Sequence, residues 1–151
     1  MEPKSDSELA AEGARLLAQG SELYRDGVTH VLAGYQLLEE QLKEYIGLHY
    51  DKTRSLIAGK IHFGYSRNDH ARSPLGRLVN TFGKLCSNAD LLGRLRAVVE
   101  HRDHVAHQAL LVLYGPILTL EEYEALIKKM SEQADLLHGL MVGLVEEQEK
   151  L

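Results

Sequence analysis

Cysteine is nearly absent from this sequence of 151 residues, and long apolar runs are missing altogether. The single cysteine, Cys86, cannot form a disulfide within the chain and does not supply the ligands of a structural zinc site. No stretch approaches the roughly 18 consecutive apolar residues that span a bilayer. The segment from Met1 to Asp6 is polar and acidic, without the apolar core of a signal peptide. We therefore expect a cytoplasmic protein in a reducing compartment, with no membrane partner.

Several sequence patterns that would announce a particular chemistry are also missing. Neither of the usual glycine-rich phosphate loops is present, and no His-Glu-x-x-His run occurs. These absences argue against nucleotide hydrolysis and zinc peptidase chemistry, and the sequence gives no reason to expect a cofactor. Alternation of apolar and polar residues never persists, so no strand is predicted.

The apolar residues that are present recur mainly at the helical period. They make up 44% of the chain, enough for one well-filled core, and we predict a single domain over residues 1–151. The predicted fold is an all-α, up-and-down helical bundle of about five or six helices. The helices are expected over residues 7–19, 21–50, 52–58, 74–86 and 89–113, with a last helix starting after Thr119. A long polar loop over residues 59–72 separates the two halves.

Local signals support several of these boundaries. Ser5 with Glu8 and Thr119 with Glu122 have the spacing of capping boxes, and Ser73 before Pro74 is a typical helix start. In the last helix, apolar residues alternate at spacings of four and three, which predicts near-parallel packing against a neighbour. That series is Tyr123, Ile127, Met130, Ala134, Leu137, Met141 and Leu144.

Glycines recur every seven residues in the N-terminal part, at positions 13, 20, 27 and 34. An interior glycine costs a helix about 1 kcal/mol, and we expect Gly20 to interrupt the first helix. The repeat has two explanations. Either the glycines let a neighbouring helix approach closely, or they mark fraying.

Charge is distributed unevenly along the chain. Residues 51–107 carry ten Lys or Arg against five Asp or Glu, while residues 1–50 carry four against nine and residues 108–151 carry three against eight. The asymmetry is either chance scatter on solvated faces or a region that binds an anionic ligand. In the second case the loop supplies candidate phosphate contacts from Lys60, His62, Arg67 and Arg72.

Arg102 is the most informative single residue. At about 100° per residue it falls in the middle of the apolar stripe of its helix, which predicts a guanidinium buried in the bundle or in an interface between subunits. A buried arginine needs a partner, and Glu39 lies on the apolar stripe of the second predicted helix. Such a pair would hold the two helices in register. Nearby His101, His104 and His107 are three residues apart, a spacing that does not favour a shared metal, and we expect no metal site.

The run from Glu100 to His107 resembles the arginine-to-histidine signature of HEPN domains. Arg102, the polar Asp103 and His107 match that motif, which in the superfamily lies on a late helix of an all-α bundle and commonly has asparagine after the arginine. The resemblance implies a homodimer with two facing motifs and, for many members, a metal-independent endoribonuclease of toxin, defence or RNA-processing systems.

The resemblance assigns roles to these residues. Arg102 would bind the scissile phosphate, while His107 would move the proton of a ribose 2′-hydroxyl with Asp103 beside it. Lys60, Arg67 and Arg72 would then hold the RNA backbone. Two alternatives remain open. The chain is a non-catalytic HEPN-like interaction or nucleotide-binding module, or it is the regulatory partner of a cognate protein.

Overall fold

The computed structural model describes residues 4–151, so the part of the predicted polar start formed by residues 1–3 lies outside it. Four α-helices are present: α1 (Asp6–Ile57), α2 (Leu75–Leu85), α3 (Ala89–Tyr114) and α4 (Leu120–Glu149). A short 3₁₀ turn, Arg67–His70, lies in the connection between α1 and α2. Residues 4–151 contain no strand, which confirms the all-α class, but the count of five or six helices is wrong. Within the same residues, no helix is both long and apolar enough to cross a membrane.

Helix α1 is continuous over 52 residues, about 78 Å, and replaces three of the predicted helices. It begins at the predicted capping box, where Ser5 accepts a hydrogen bond from the Glu8 amide. The predicted break at Gly20 is wrong. Gly20 is buried in mid-helix against the side chain of Tyr123 on α4. The packing that the glycine permits outweighs its poor helix propensity, and the predicted segment 52–58 is the end of the same helix.

The seven-residue glycine repeat is explained by close approach of α4. A Cβ atom added at Gly20, Gly27 or Gly34 would lie 3.3, 3.1 or 3.0 Å from the facing side chain. The facing pairs are Gly20 with Tyr123, Gly27 with Met130 and Gly34 with Leu137. Because the residue numbers rise together, α1 and α4 run parallel. The near-parallel packing predicted from the spacing of the last helix is therefore confirmed.

The other helices follow from similar facing pairs. Helix α3 runs antiparallel to α4, since Leu91 faces Gly143 and Arg94 faces Gly139. Helix α2 runs antiparallel to α3, since Gly83 faces Leu92 and Gly76 faces Val99. Helices α1, α2 and α4 thus share one direction. The chain returns between α1 and α2 through the loop rather than through a helix, so the bundle departs from the predicted up-and-down order.

The core forms where these helices meet, and most predicted apolar stripes take part in it. Along α1 the apolar residues at the helical period from Val28 to Ile46 are buried except Leu32, which is half-buried. On α3 the buried stripe begins at Leu91, while Leu113, which the helical period also places on the stripe, is exposed. The predicted cap of α2 is wrong by one residue, because the helix begins after Pro74 and no side chain caps it.

A buried carboxylate joins three helix ends at one end of the bundle. Glu147 on α4 accepts hydrogen bonds from Lys150 Nζ at 2.6 Å, from Asn88 Nδ2 at 2.7 Å and from Cys86 Sγ at 3.5 Å. Asn88 also caps α3 by accepting from the Leu91 amide. The Lys150 ammonium, followed by the Asn88 amide, lowers the pKa of Glu147 below its ordinary value. This cluster ties the ends of α2, α3 and α4 together.

Candidate functional site

Arg102 and Glu39 do pair, as predicted, but the arginine is not buried. Arg102 Nη2 lies 3.4 Å from Glu39 Oε1, and the two side chains are 41% and 17% exposed. Asp103 Oδ1 lies 3.9 Å from Arg102 Nη1. The arginine stem leaves the apolar stripe and carries its guanidinium to the surface, as long basic side chains commonly do. The cation is therefore held on one side by Glu39 and open to solvent on another.

The contact between Arg102 and Glu39 is a charge pair rather than an aligned hydrogen bond. Glu39 Oε1 is fully buried and has no hydrogen-bond partner among residues 4–151. A buried carboxylate oxygen without a hydrogen bond depends on the nearby positive charge for compensation. Glu39 therefore needs Arg102 more than the half-exposed Arg102 needs Glu39.

Tyr35 lies next to this pair and links it to α4. Its hydroxyl accepts a hydrogen bond from Gln133 Nε2 at 2.6 Å. Burial raises the pKa of Tyr35, while the hydrogen bond from Gln133 and the positive charge of Arg102 oppose that rise. The influence of Arg102 on the phenol means that the motif arginine and the α4 side chain share one polar environment.

His107 and Asp103 lie on a different side of α3, which we call its outer face. This face consists of Asp103, His107, Leu110 and Tyr114, at successive spacings of four, three and four residues, and all four are exposed. Leu110 is 56% exposed and Tyr114 is 86% exposed. Among residues 4–151, no hydrogen bond joins His107 to Arg102. The motif residues are therefore split between the rim of the bundle and an outward, partly apolar face.

A groove lies between α3 and α4. On α3, the groove and the outer face are on opposite sides of the buried apolar stripe. Its cavity has a volume of about 310 Å³. Its polar lining consists of His101, His104 and Gln108 from α3 and Lys129, Glu132 and Gln133 from α4. Val105, Met130 and Leu136 supply apolar surface. We call this the α3–α4 groove, and Gln133 connects it to Tyr35 and so to the surroundings of Arg102.

The predicted phosphate contacts of the loop have unequal positions. Arg67 binds Glu44 at 2.9 Å and Asp51 at 2.8 Å, and the bond to Asp51 followed by the charge of Glu44 raises its pKa. Two carboxylates thus already compensate its charge, and its role is to fasten the loop to α1. Arg72 lines a shallow pocket of about 440 Å³ beside the start of α2, and Lys60 is exposed.

His101 and His104 were considered only as metal ligands, although the sequence contained a signal for their place in a groove. His101, His104, Val105 and Gln108 are spaced by three, four and seven residues from the first, which places them on one face of a helix. The spacing within α3 does not indicate which residues form the other wall of the groove. That wall comes from α4, which follows only after the turn at residues 115–119. Within residues 4–151, no group of three or more His, Cys, Asp or Glu is arranged to hold a metal ion.

No family model, curated protein sequence or solved structure matches this chain. Support for a function comes from the geometry of the motif on α3 and from the sequence resemblance.

Proposed function

We propose that the protein is a HEPN-like, metal-independent endoribonuclease that acts as a homodimer. The observation that carries the proposal is the outer face of α3, where the motif histidine shares a stripe with exposed apolar side chains. Leu110 and Tyr114 follow His107 by one and two turns and have large exposed surfaces. A contiguous exposed apolar surface marks an interaction site. A second copy packed on this face would bring the two His107 residues towards a shared cleft.

Arg102 has the properties of a phosphate ligand in such a cleft. Glu39 holds one side of its guanidinium, while the exposed part is free to donate to two phosphate oxygens. In the proposed reaction His107 accepts the proton of the ribose 2′-hydroxyl, and the oxygen attacks the adjacent phosphorus. The bond to the 5′-oxygen of the next nucleotide breaks, that oxygen takes a proton from water and leaves as a hydroxyl group, and a 2′,3′-cyclic phosphate forms. Arg102 stabilises the negative charge that develops on the phosphate.

A ribonuclease assay in EDTA tests the proposal directly. Wild type is expected to cleave single-stranded RNA, and His107→Ala is expected to lose at least about a hundredfold in rate, the scale of general acid–base catalysis. His138→Ala is a matched control, since His138 is an exposed histidine on α4. Because His107 is exposed, its variant should keep the wild-type melting temperature.

The outcomes separate the proposal from the interaction-module alternatives. Equal cleavage by His107→Ala and wild type would remove the assigned acid–base role. Absence of any cleavage by a folded, dimeric wild type would favour a non-catalytic HEPN-like module or a regulatory partner of another protein.

A further inference from the structure

The α3–α4 groove contains an unusual combination of free polar groups on an apolar floor. Lys129 and Glu132 make no ion pair within residues 4–151, and neither does His101 or His104. A volume of about 310 Å³ is at the lower end of the range for small-ligand sites, which suits one compact ligand. The groove therefore offers unused donors and acceptors to a single small group.

The chemistry of the walls favours a planar heterocycle with an attached anion. Imidazole rings are among the side chains on which unpaired bases stack, and His101 and His104 both line the α3 wall. Met130 and Leu136 supply apolar surface for the second face of a ring. Lys129 supplies a positive charge for a phosphate at the edge of the groove.

Glu132 narrows the choice among the four RNA bases. A carboxylate only accepts hydrogen bonds, so it prefers two adjacent N–H donors on the partner. Guanine presents such a pair, the ring N1–H and the exocyclic amino group. Cytosine and adenine place an acceptor nitrogen beside their amino group, and uracil has one N–H between two carbonyl oxygens. The amides of Gln108 and Gln133 can serve the remaining acceptors of guanine.

We propose that the α3–α4 groove binds one unpaired guanine nucleotide, with Glu132 as the base-selecting residue and Lys129 as the phosphate contact. This deepens the proposed function, on which it rests for its role in RNA cleavage. The connection from Gln133 through Tyr35 to the environment of Arg102 makes the groove a neighbour of the motif arginine. Guanine bound here would anchor the RNA strand to α3 on the side opposite His107.

Calorimetric titration of the uncleavable mononucleotides GMP and UMP tests the groove without reference to catalysis. Wild type is expected to bind GMP about tenfold more tightly than UMP, the effect of one charge-assisted hydrogen bond. Glu132→Gln should reduce this preference to about twofold, and Lys129→Ala should weaken both ligands about tenfold. Glu124→Gln and Lys128→Ala, exposed neighbours on α4 that do not line the groove, should bind as wild type does.

Additional measurements identify which part of the nucleotide is bound. They also test guanine binding in the groove and RNA cleavage separately. Inorganic phosphate should not compete with GMP, and guanine-containing single-stranded RNA should bind His107→Ala more tightly than uracil-only RNA. Equal affinity for GMP and UMP, or equal losses in the control variants, would overturn the groove assignment. Selectivity for GMP in a protein that cleaves no RNA would support guanine binding in the groove and contradict the nuclease proposal. Cleavage of RNA by a protein that does not bind GMP would support the nuclease proposal and contradict guanine binding.

Discussion

The two side chains of the Arg102–Glu39 pair have unequal exposure, 41% for the arginine and 17% for the glutamate. The place of Arg102 in the apolar stripe predicted the partner, Glu39, which lies 3.4 Å away. The same reasoning predicted burial in the bundle or in a subunit interface, and burial in the bundle is wrong because helical position fixes the direction of the Cβ atom and not the reach of a long side chain. The burial falls instead on Glu39, whose Oε1 has no hydrogen-bond partner within residues 4–151.

This asymmetry predicts unequal effects of removing either partner. Arg102→Ala leaves a half-buried carboxylate without compensation and should lower the free energy of unfolding by about 1–2 kcal/mol. That is less than the 3–5 kcal/mol of a fully buried pair, because solvent screens the exposed arginine. Glu39→Gln removes the buried charge and leaves Arg102 to water, so its change should stay within about 0.5 kcal/mol. Urea denaturation of both variants measures the difference; equal losses would contradict it.

Glu147 provides a second residue-scale prediction, on pH dependence. Its folded-state pKa is lowered chiefly by Lys150, so its stabilising contribution is fully present above the ordinary pKa of a glutamate, about 4.3. The contribution is lost as pH falls through the lower, folded-state pKa. Glu147→Gln should be less stable than wild type by about 1–2 kcal/mol near pH 7, because the oxygen that accepts from Asn88 and Lys150 loses its charge and the amide nitrogen cannot accept from Cys86 Sγ.

The difference between wild type and Glu147→Gln should shrink under acid conditions. Thermal melts from pH 7 to pH 3 measure this trend. Glu146→Gln, an exposed neighbour on α4, is the control and should show no comparable gap at any pH. A gap that stayed constant down to pH 3 would mean that the carboxylate charge does not stabilise the cluster.

At the scale of elements, the sequence predicted those helices whose ends are set by local chemistry. The two capping boxes lie where Ser5 and Thr119 predicted them, and α3 extends over 89–114 against the predicted 89–113. The break at Gly20 was predicted from local propensity, which cannot include Tyr123, 103 residues further along the chain. The α3–α4 groove was missed for the same reason, because its two walls come from separate helices.

The close approach of α1 and α4 predicts opposite effects of alanine at two glycines of the same repeat. Gly13 has open space around an added Cβ, so Gly13→Ala should stabilise the protein by about 0.5–1 kcal/mol through helix propensity. At Gly27 an added Cβ would lie 3.1 Å from Met130 Cβ, which cannot move without the α4 backbone. Overpacking costs about 1–3 kcal/mol and should outweigh the propensity gain, so Gly27→Ala should melt below wild type.

Melting curves of Gly13→Ala and Gly27→Ala, measured beside wild type, test whether the two substitutions have opposite effects on stability. The expected order of melting temperature is Gly13→Ala, then wild type, then Gly27→Ala. If Gly27→Ala gained as much stability as Gly13→Ala, the repeat would reflect loose packing of α1 against α4, contrary to the contacts with Tyr123, Met130 and Leu137.

At the scale of the whole molecule, the long loop takes the place of a helix. It returns along α1, where Arg67 binds Glu44 and Asp51 and where Arg54 donates to the Tyr65 carbonyl. These polar contacts let α2 start in the same direction as α1, which leaves α3 as the one antiparallel helix. Helix α3 therefore packs its apolar stripe inwards and presents its outer face, with His107, to solvent.

The exposure of that outer face predicts the oligomeric state. Leu110 and Tyr114 expose 56% and 86% of their surface in the single chain, and burying such side chains against a second copy is favourable by the hydrophobic effect. Light scattering at micromolar concentration should give about twice the 16.9 kDa chain mass. The double variant Leu110→Ser, Tyr114→Ser should give the mass of one chain and lose RNA cleavage, while keeping a cooperative melt.

Leu56→Ser is the matched control for this last prediction. Leu56 is 67% exposed on α1 and is not part of the outer face of α3, so its replacement should leave the dimer and the cleavage rate unchanged. A wild-type mass of one chain would exclude the paired arrangement of His107 residues, because no second motif would then be present. A dimer that survived the double variant would place the interface elsewhere, and His107 would have to act from a solvent-exposed surface rather than from a shared cleft.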